Sequence, residues 1–179
     1  ELVLDVHERV RARHDDALLV LIPRHPERFG AVRELVRKRG LSVVSRTQGE
    51  PAGDAAVFLG DTMGEVPVFY AASDVAFVAG SLVPIGGHNL LEPAALGVPV
   101  ITGPHNFNAQ DIADMFLAEQ ACRIVNDTDE LVGAITELLN QPALADALGK
   151  SGLALLQANR GSLHRLMVLL EPLLAKQFG

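Results

Sequence analysis

The chain has 179 residues, a length that suits one domain with a substantial hydrophobic core. Its residues are 49% hydrophobic but only 4% aromatic, so we expect an aliphatic core. The formal net charge of −7 and the absence of any run of Lys or Arg argue against a nucleic-acid-binding protein, which needs a concentrated basic face. The single cysteine, Cys122, excludes an internal disulfide and a multi-cysteine zinc site.

No apolar run approaches the ~20 residues of a membrane span, and the first residues do not resemble a signal peptide. We therefore expect a soluble chain. It opens with Glu1 and a helical pattern, whereas a doubly wound α/β unit normally opens with a strand. This order predicts a fragment of a longer protein that lacks the first strand of its fold.

Short β-branched runs alternate with helical patterns along the whole chain. The predicted strands cover residues 17–22, 41–45, 55–59, 74–78, 98–102 and 122–125. The predicted helices cover residues 1–14, 30–39, 65–72, 89–96, 108–119, 128–140 and 142–174, the last with a break at 159–161. The alternation predicts an α/β fold, a Rossmann-like doubly wound parallel sheet, with ligands beyond the carboxyl ends of the strands.

The C-terminal part of the last helical stretch is amphipathic. Ser162 is a candidate helix cap, and it precedes an apolar stripe formed by Leu163, Leu166, Met167, Leu170 and Leu174. Such a stripe is expected to pack against the core, or less commonly against a partner.

The segment 86–100 reads Gly-Gly-His-Asn-Leu-Leu-Glu-Pro-Ala-Ala-Leu-Gly-Val-Pro-Val. Gly86 and Gly87 allow a close approach of the backbone, and a helix that begins near Asn89 would direct free N–H groups and its positive dipole end at an anion such as phosphate. Glu92 lies in the first turn of that helix. Its carboxylate is suited either to a ribose diol or to closing a capping box at the helix start.

Polar or glycine-rich loops follow four predicted strands, at residues 23–28, 60–65, 79–88 and 103–106, and should converge on one edge of the sheet. Arg24 supplies a permanent charge that suits a phosphate, the alternative being a surface ion pair with Glu27. Glu65 either lines a ligand pocket or only begins the following helix with a favourable dipole contact.

Several common sites are missing from the sequence. It contains no P-loop, no dinucleotide-binding Gly-x-Gly-x-x-Gly after a strand, and no Gly-x-Ser-x-Gly nucleophile elbow. Three histidines, His25, His88 and His105, lie on three different loops without a pair at ligand spacing. We therefore expect no metal site.

The motifs at residues 21–29, 60–65 and 80–93 together resemble the C-terminal half of the transferases of 3-deoxy-D-manno-octulosonic acid (Kdo). The resemblance covers essentially the whole chain. It implies the C-terminal half of a glycosyltransferase B fold, in which a nucleotide-binding domain and an acceptor-binding domain enclose a cleft. Residues 1–179 would then be the C-terminal CMP-Kdo-binding domain, without the N-terminal acceptor domain.

The matching motifs also imply roles for individual residues. Pro23 and Arg24 would contact the CMP phosphate. Met63, Gly64 and Glu65 would line the cytidine pocket. The phosphate and ribose would be held by Asn89, Leu90, Leu91 and Glu92. We expect His88 and Asn106 to shape the loops rather than to contact the ligand.

The resemblance implies an inverting transfer of Kdo from CMP-Kdo to the lipid A precursor (lipid IVA) in lipopolysaccharide synthesis, without a cofactor or a metal. The catalytic base would lie in the N-terminal domain, so we assign no catalytic residue here and expect this chain alone to be inactive. The full-length enzyme would act at the cytoplasmic face of the bacterial inner membrane, associated through its N-terminal part. The alternatives are a UDP-sugar transferase or epimerase domain and a non-catalytic nucleotide-binding module.

Overall fold

Residues 1–159 form six short strands, each inside a predicted segment. They are β1 (Leu19–Leu21), β2 (Val43–Ser45), β3 (Val57–Leu59), β4 (Ala76–Val78), β5 (Val100–Thr102) and β6 (Arg123–Ile124). The computed structural model describes residues 1–159. The predicted apolar stripe, with Leu163, Leu166, Met167, Leu170 and Leu174, lies outside the described residues.

The strands pair in parallel as two three-stranded sheets. The first sheet has the order β1-β3-β2 and the second the order β4-β5-β6. In the first, Leu19 and Val43 both lie opposite Val57, and in the second, Ala76 lies opposite Val100. The prediction of parallel strands joined by helical crossovers is confirmed, although hydrogen bonding groups the strands in two sets of three.

The α-helices of residues 1–159 precede, connect and follow the strands. They are α1 (Leu2–Arg11), α2 (Phe29–Lys38), α3 (Val66–Ala71), α4 (Leu91–Ala94), α5 (Gln110–Ala118), α6 (Thr128–Asn140) and α7 (Pro142–Asn159). The predicted bounds of α6 are correct to the residue. The Asp127 side chain accepts a 2.8 Å hydrogen bond from the Glu130 backbone N–H, which fixes the start of this helix. Within residues 1–159, no helix is long and apolar enough to cross a membrane.

Helix α1 packs against both sheets. Leu4 belongs to the same buried cluster as Val57 of the first sheet, whereas Val6 belongs to the cluster that contains Ile101 of the second. Between them, buried His7 donates a 2.8 Å hydrogen bond from Nε2 to the backbone carbonyl of the residue before β3. Burial lowers the pKa of His7, which keeps this donor neutral. The helix therefore ties the two sheets into one core.

Helix α7 approaches the turn before β5 so closely that only glycine fits at the contact. A Cβ atom at Gly149 would lie 1.9 Å from the carbonyl oxygen of Gly97, which itself has φ 71°. Gly133 on α6 has room for a side chain, since a Cβ atom there would have no other atom within 4 Å.

These two glycines give a matched test of the α7 contact. We expect G149A to lower the free energy of unfolding by about 1–3 kcal/mol, because the added methyl group forces α7 away from the turn. In contrast, G133A should stabilise the chain by about 0.5–1 kcal/mol through helix propensity. Urea denaturation of both variants measures the difference. Equal stability of G149A and G133A would show that α7 does not pack on this turn.

Candidate functional site

The loops that follow β1 and β4 meet at one point. Arg24 Nη1 lies 3.1 Å from Nδ1 of His88, although the two residues are far apart in sequence. Arg24 is exposed, and within residues 1–159 no carboxylate forms an ion pair with it. The alternative pairing with Glu27 is therefore wrong, since Glu27 lies 3.6 Å from His25 instead. The carboxyl ends of both sheets thus adjoin at an exposed positive charge.

The Gly-Gly turn is closed by a hydrogen bond of 2.8 Å from the Gly87 N–H to the Gly80 carbonyl. Gly86 has φ 110° and Gly87 has φ 71°, values that favour glycine. A Cβ at Gly87 would lie 2.5 Å from Oδ1 of Asn106, and one at Gly86 would lie 2.4 Å from Nδ2 of Asn108. The absence of side chains at both glycines therefore lets the loop after β5 pack against this turn, a reason for glycine here that the sequence did not reveal.

Hydrogen bonds among buried polar groups stabilise the loops next to this turn. The Ser81 hydroxyl donates to the Val78 carbonyl and accepts from the Gly103 N–H, both at 2.7 Å. Asn106, 4% exposed, donates a 2.7 Å hydrogen bond to the Gly103 carbonyl and accepts one of 3.0 Å from the Thr102 hydroxyl. The expectation that Asn106 shapes a loop is confirmed.

Helix α4 is shorter than predicted. It comprises the single turn Leu91–Ala94 instead of residues 89–96. The chain leaves the helix around Gly97 in the left-handed region, where the Val98 N–H donates to the Pro93 carbonyl at 3.1 Å. Because few peptide dipoles align in one turn, a strong dipole contribution to anion binding is not supported, and charge at this edge comes from side chains.

Asn89 and Glu92 are linked at the start of α4. The Asn89 side chain accepts a 3.0 Å hydrogen bond from the Leu91 N–H and donates one of 3.1 Å to Oε1 of Glu92. The capping-box interpretation of Glu92 is wrong, since its carboxylate bonds to a side-chain amide and not to the backbone. Glu92 is exposed, and among residues 1–159 no hydrogen-bond donor contacts its second oxygen.

Leu90 and Leu91, the two leucines of this motif, differ in how exposed their side chains are. Leu90 is 2% exposed and packs in a cluster with Val78 and Phe116, whereas Leu91 is half-buried beside that cluster. A ligand contact by Leu90 can therefore use only its backbone. Pro23, the neighbour of Arg24 on the first loop, is half-buried as well.

The loop before α3 presents a backbone surface. Met63 is 69% exposed and Gly64 has φ 80°. Glu65 has both carboxylate oxygens occupied, by the Thr62 hydroxyl and by Arg46, whose Nη2 and Nε lie 2.9 and 3.1 Å from them. These hydrogen bonds, first from Thr62 and then from Arg46, lower the pKa of Glu65. Glu65 is the N-cap residue at which α3 begins, as the helix-start interpretation predicts, although its side chain forms no hydrogen bond with the first turn of the helix.

Tyr70 on α3 lies close enough to Glu92 to be affected by its charge. Burial, and in second place the negative charge of Glu92, raise the pKa of Tyr70. Helix α3 begins directly after Glu65 and packs beside α4. The loop with Met63 and the motif with Glu92 therefore flank the same helix pair.

Asp61 anchors the same loop, a role that the sequence did not predict. It is buried and accepts three hydrogen bonds, from the Thr47 N–H at 2.9 Å, the Thr47 hydroxyl at 2.6 Å and Arg33 Nη2 at 2.8 Å. Burial raises its pKa, but the two bonds from Thr47, with a smaller contribution from the nearby Ser45 hydroxyl, outweigh burial and hold the pKa of Asp61 below its usual value. The sequence feature that could have indicated this role is a carboxylate just after a buried strand.

A cleft of about 490 Å³ lies away from this edge, between β6 and α7, and is lined in part by Gln120, Cys122, Arg123, Leu144 and Leu148. Burial raises the pKa of the Cys122 thiol to about 11, so this cysteine is a core residue and not a nucleophile. Within the part of the chain that the structure describes, no three His, Cys, Asp or Glu residues group as metal ligands.

The sequence and the fold of this chain match those of known proteins. The model of the glycosyl transferases group 1 family matches residues 1–154. The chain belongs to the group 1 glycosyl transferases. The solved C-terminal CMP-Kdo binding domain of WaaA from Acinetobacter baumannii resembles this group 1 domain with a TM-score of 0.81 and 36% identity, over 86% of this chain and 81% of that one.

Two Kdo transferases are also similar to this group 1 domain. The 3-deoxy-D-manno-octulosonic acid transferase of Haemophilus influenzae is 44% identical over 178 residues, which cover 98% of this chain and 42% of that protein. That of Bordetella pertussis is 40% identical over 163 residues, which cover 90% of this chain and 38% of that protein. The chain therefore spans about two fifths of the length of these relatives.

The buried carboxylate of this group 1 domain gives a test with a defined pH dependence. We expect D61N to lower the free energy of unfolding at pH 7 by about 1–3 kcal/mol, because hydrogen bonds to a charged group are lost. The folded pKa of Asp61 is depressed, so the deficit should be complete above the unfolded pKa of ~3.9 and should shrink as pH falls through the folded pKa.

Urea denaturation at several pH values measures this deficit. The matched control is D54N, since Asp54 is exposed and should show little deficit at any pH. A deficit of D61N that did not change with pH would contradict the assignment.

Proposed function

We propose that this chain is the nucleotide-sugar-binding half of a Kdo transferase, which transfers Kdo from CMP-Kdo to the lipid A precursor in lipopolysaccharide synthesis. The observation that carries the proposal is Arg24, an exposed guanidinium at the junction of the two sheets with no carboxylate partner in residues 1–159. The similarity to a CMP-Kdo binding domain supports the same ligand for this edge.

The phosphate of CMP would bind at Arg24. A guanidinium presents a planar set of N–H donors that fits phosphate oxygens, and His88 uses only one of them. Pro23 restricts the backbone just before Arg24, and Asn89 lies one residue after His88. We therefore assign the phosphate to Pro23, Arg24 and the backbone around Asn89, Leu90 and Leu91.

The nucleoside would lie between the loop before α3 and the start of α4. Gly64 exposes backbone N–H and C=O groups that suit a cytosine edge, and Met63 offers an exposed apolar side chain beside them. Glu92 has one oxygen without a donor among the described residues, which suits a ribose hydroxyl. Glu65 would contribute through its backbone, because Arg46 and Thr62 occupy its carboxylate.

The chemistry assigned to this half is stabilisation of the leaving group. In an inverting transfer the acceptor hydroxyl attacks the anomeric carbon as the bond to the CMP phosphate breaks, and negative charge develops on the phosphate oxygen. The fixed charge of Arg24 would stabilise that oxygen. Glu65 and Glu92 are both hydrogen-bonded beside the nucleotide, so we assign the base to the acceptor-binding domain.

The acceptor and the location of the whole enzyme belong to the same proposal. Because the donor half provides no acceptor base, we expect this chain alone to transfer no Kdo. The acceptor is a membrane lipid, so we place the complete enzyme at the cytoplasmic face of the inner membrane. Relatives named as Kdo transferases support this assignment.

The nucleotide specificity tests the proposal against a UDP-sugar enzyme. In calorimetry with the 179-residue chain, CMP should bind more tightly than UMP. R24A should weaken CMP binding about tenfold or more, since one hydrogen bond between charged groups accounts for about 1.5–3 kcal/mol. The matched control is R28A, because Arg28 is exposed on the same loop and has no place in the proposed site.

Tighter binding of UMP than of CMP would support a uridine-nucleotide enzyme and reject the CMP assignment. An equal loss of CMP affinity in R24A and R28A would show that the loss reflects net charge rather than a phosphate contact at Arg24.

A further inference from the structure

We propose that His88 is a positioning residue, whose neutral imidazole accepts a hydrogen bond from Arg24 and directs the guanidinium at the nucleotide phosphate. The inference rests on the proposed function, because it requires that Arg24 bind that phosphate. It assigns His88 a role beyond the loop-shaping one that the sequence predicts.

The hydrogen bond defines the protonation state of the ring. Nδ1 of His88 lies 3.1 Å from Nη1 of Arg24. A guanidinium has only donors, so Nδ1 must be the acceptor and the ring proton must sit on Nε2. An imidazolium ring could not make this contact.

The surrounding backbone holds the ring in place. His88 is half-buried, and a Cβ atom at Gly80 would lie 3.4 Å from Nε2 and 3.5 Å from Cδ2 of His88. The ring therefore packs over Gly80, which has φ 79° and suits glycine. Residue 88 also follows directly on Gly87, which is packed against Asn106. A fixed acceptor thus meets a long, exposed arginine side chain and restricts its rotamers.

A neutral acceptor orients Arg24 without cancelling its charge. The arginines near the neighbouring loops show the contrast, since Arg46 is paired with Glu65 and Arg33 with Asp61. A carboxylate at position 88 would hold Arg24 equally well, but it would also compete with a phosphate. An imidazole leaves the full positive charge and the remaining N–H groups for the ligand.

The groups that face the ring make this arrangement sensitive to pH. Burial is the main cause that lowers the pKa of His88, and the charges of Arg24 and His25 lower it further, while Glu92 acts in the opposite direction. The ring is therefore neutral at pH 7. On acidification it gains a proton, loses its acceptor and repels Arg24.

The test measures CMP binding to the 179-residue chain by calorimetry, for the wild type, H88A, H88N and R24A. At about pH 7.5 H88A should bind CMP about threefold to tenfold more weakly, the range for one hydrogen bond. H88N, whose amide oxygen can take the place of Nδ1, should retain most of the affinity. In an R24A background, H88A should cause no further loss, because no guanidinium remains to be oriented.

The pH profile separates positioning from a purely structural role. Between about pH 7.5 and 5.5 the phosphate of CMP also titrates, but this change is common to all variants. The ratio of wild-type to H88N affinity should therefore fall on acidification, since only the wild type has an imidazole to protonate.

Three results would overturn the inference while leaving the proposed function intact: CMP binding by H88A equal to that of the wild type, an affinity ratio that stays flat, or one that rises because an imidazolium binds the phosphate directly. A wild-type chain that fails to bind CMP, or that binds it independently of Arg24, would reject the proposed function and with it the role of His88.

Discussion

The candidate site depends on the close approach of two loops, the one after β4 and the one after β5. A Cβ atom at Gly103 would lie 2.3 Å from the backbone oxygen of Ser81, so only glycine allows the contact. In that space the Gly103 N–H donates to the Ser81 hydroxyl and the His105 N–H donates to the Ser81 carbonyl. With these buried groups satisfied, the turn through Gly86 and Gly87 is fixed, and so is the position of His88 that follows it.

Charge at this edge is arranged so that Asp61, Glu65 and Glu92 accept hydrogen bonds from the protein, while Arg24 forms no ion pair with a carboxylate of residues 1–159. Asp61 is bonded to Arg33 and Thr47, Glu65 to Arg46 and Thr62, and Glu92 in part to Asn89. Arg24 contacts a neutral imidazole instead. A chain with a net charge of −7 can therefore still attract a phosphate locally, because binding depends on the nearest groups more than on the total charge.

Much of the fold could be predicted because it depends on local pattern. Each strand lies in a short apolar run, and α6 spans the residues 128–140 that its helical pattern predicted. The predicted α4 was two residues too long at each end, since the Asn89 side chain bonds to the Leu91 N–H before the helix and the turn through Gly97 begins after Ala94. Contacts between distant loops were also missed. Arg46 with Glu65 and Arg33 with Asp61 join residues of separate loops and helices, and no spacing rule pairs them.

The same limit applies to the site. The loops that carry Arg24 and His88 were expected at one edge because parallel strands end there, and their contact agrees with that rule. The sequence could not indicate that His88 orients Arg24, since this requires the distance between two side chains. It also could not indicate that a cleft forms beside Cys122, away from this edge.

The most direct test of the account is where CMP binds. In a titration of the ¹⁵N-labelled chain with CMP, the amide resonances of Arg24, Gly64, Gly87 and Asn89 should shift, while those of Cys122 and Ser151 in the cleft should not. Shifts confined to the cleft, with the resonances at the junction of the two sheets unchanged, would contradict the central claim that the nucleotide binds at the carboxyl ends of the strands.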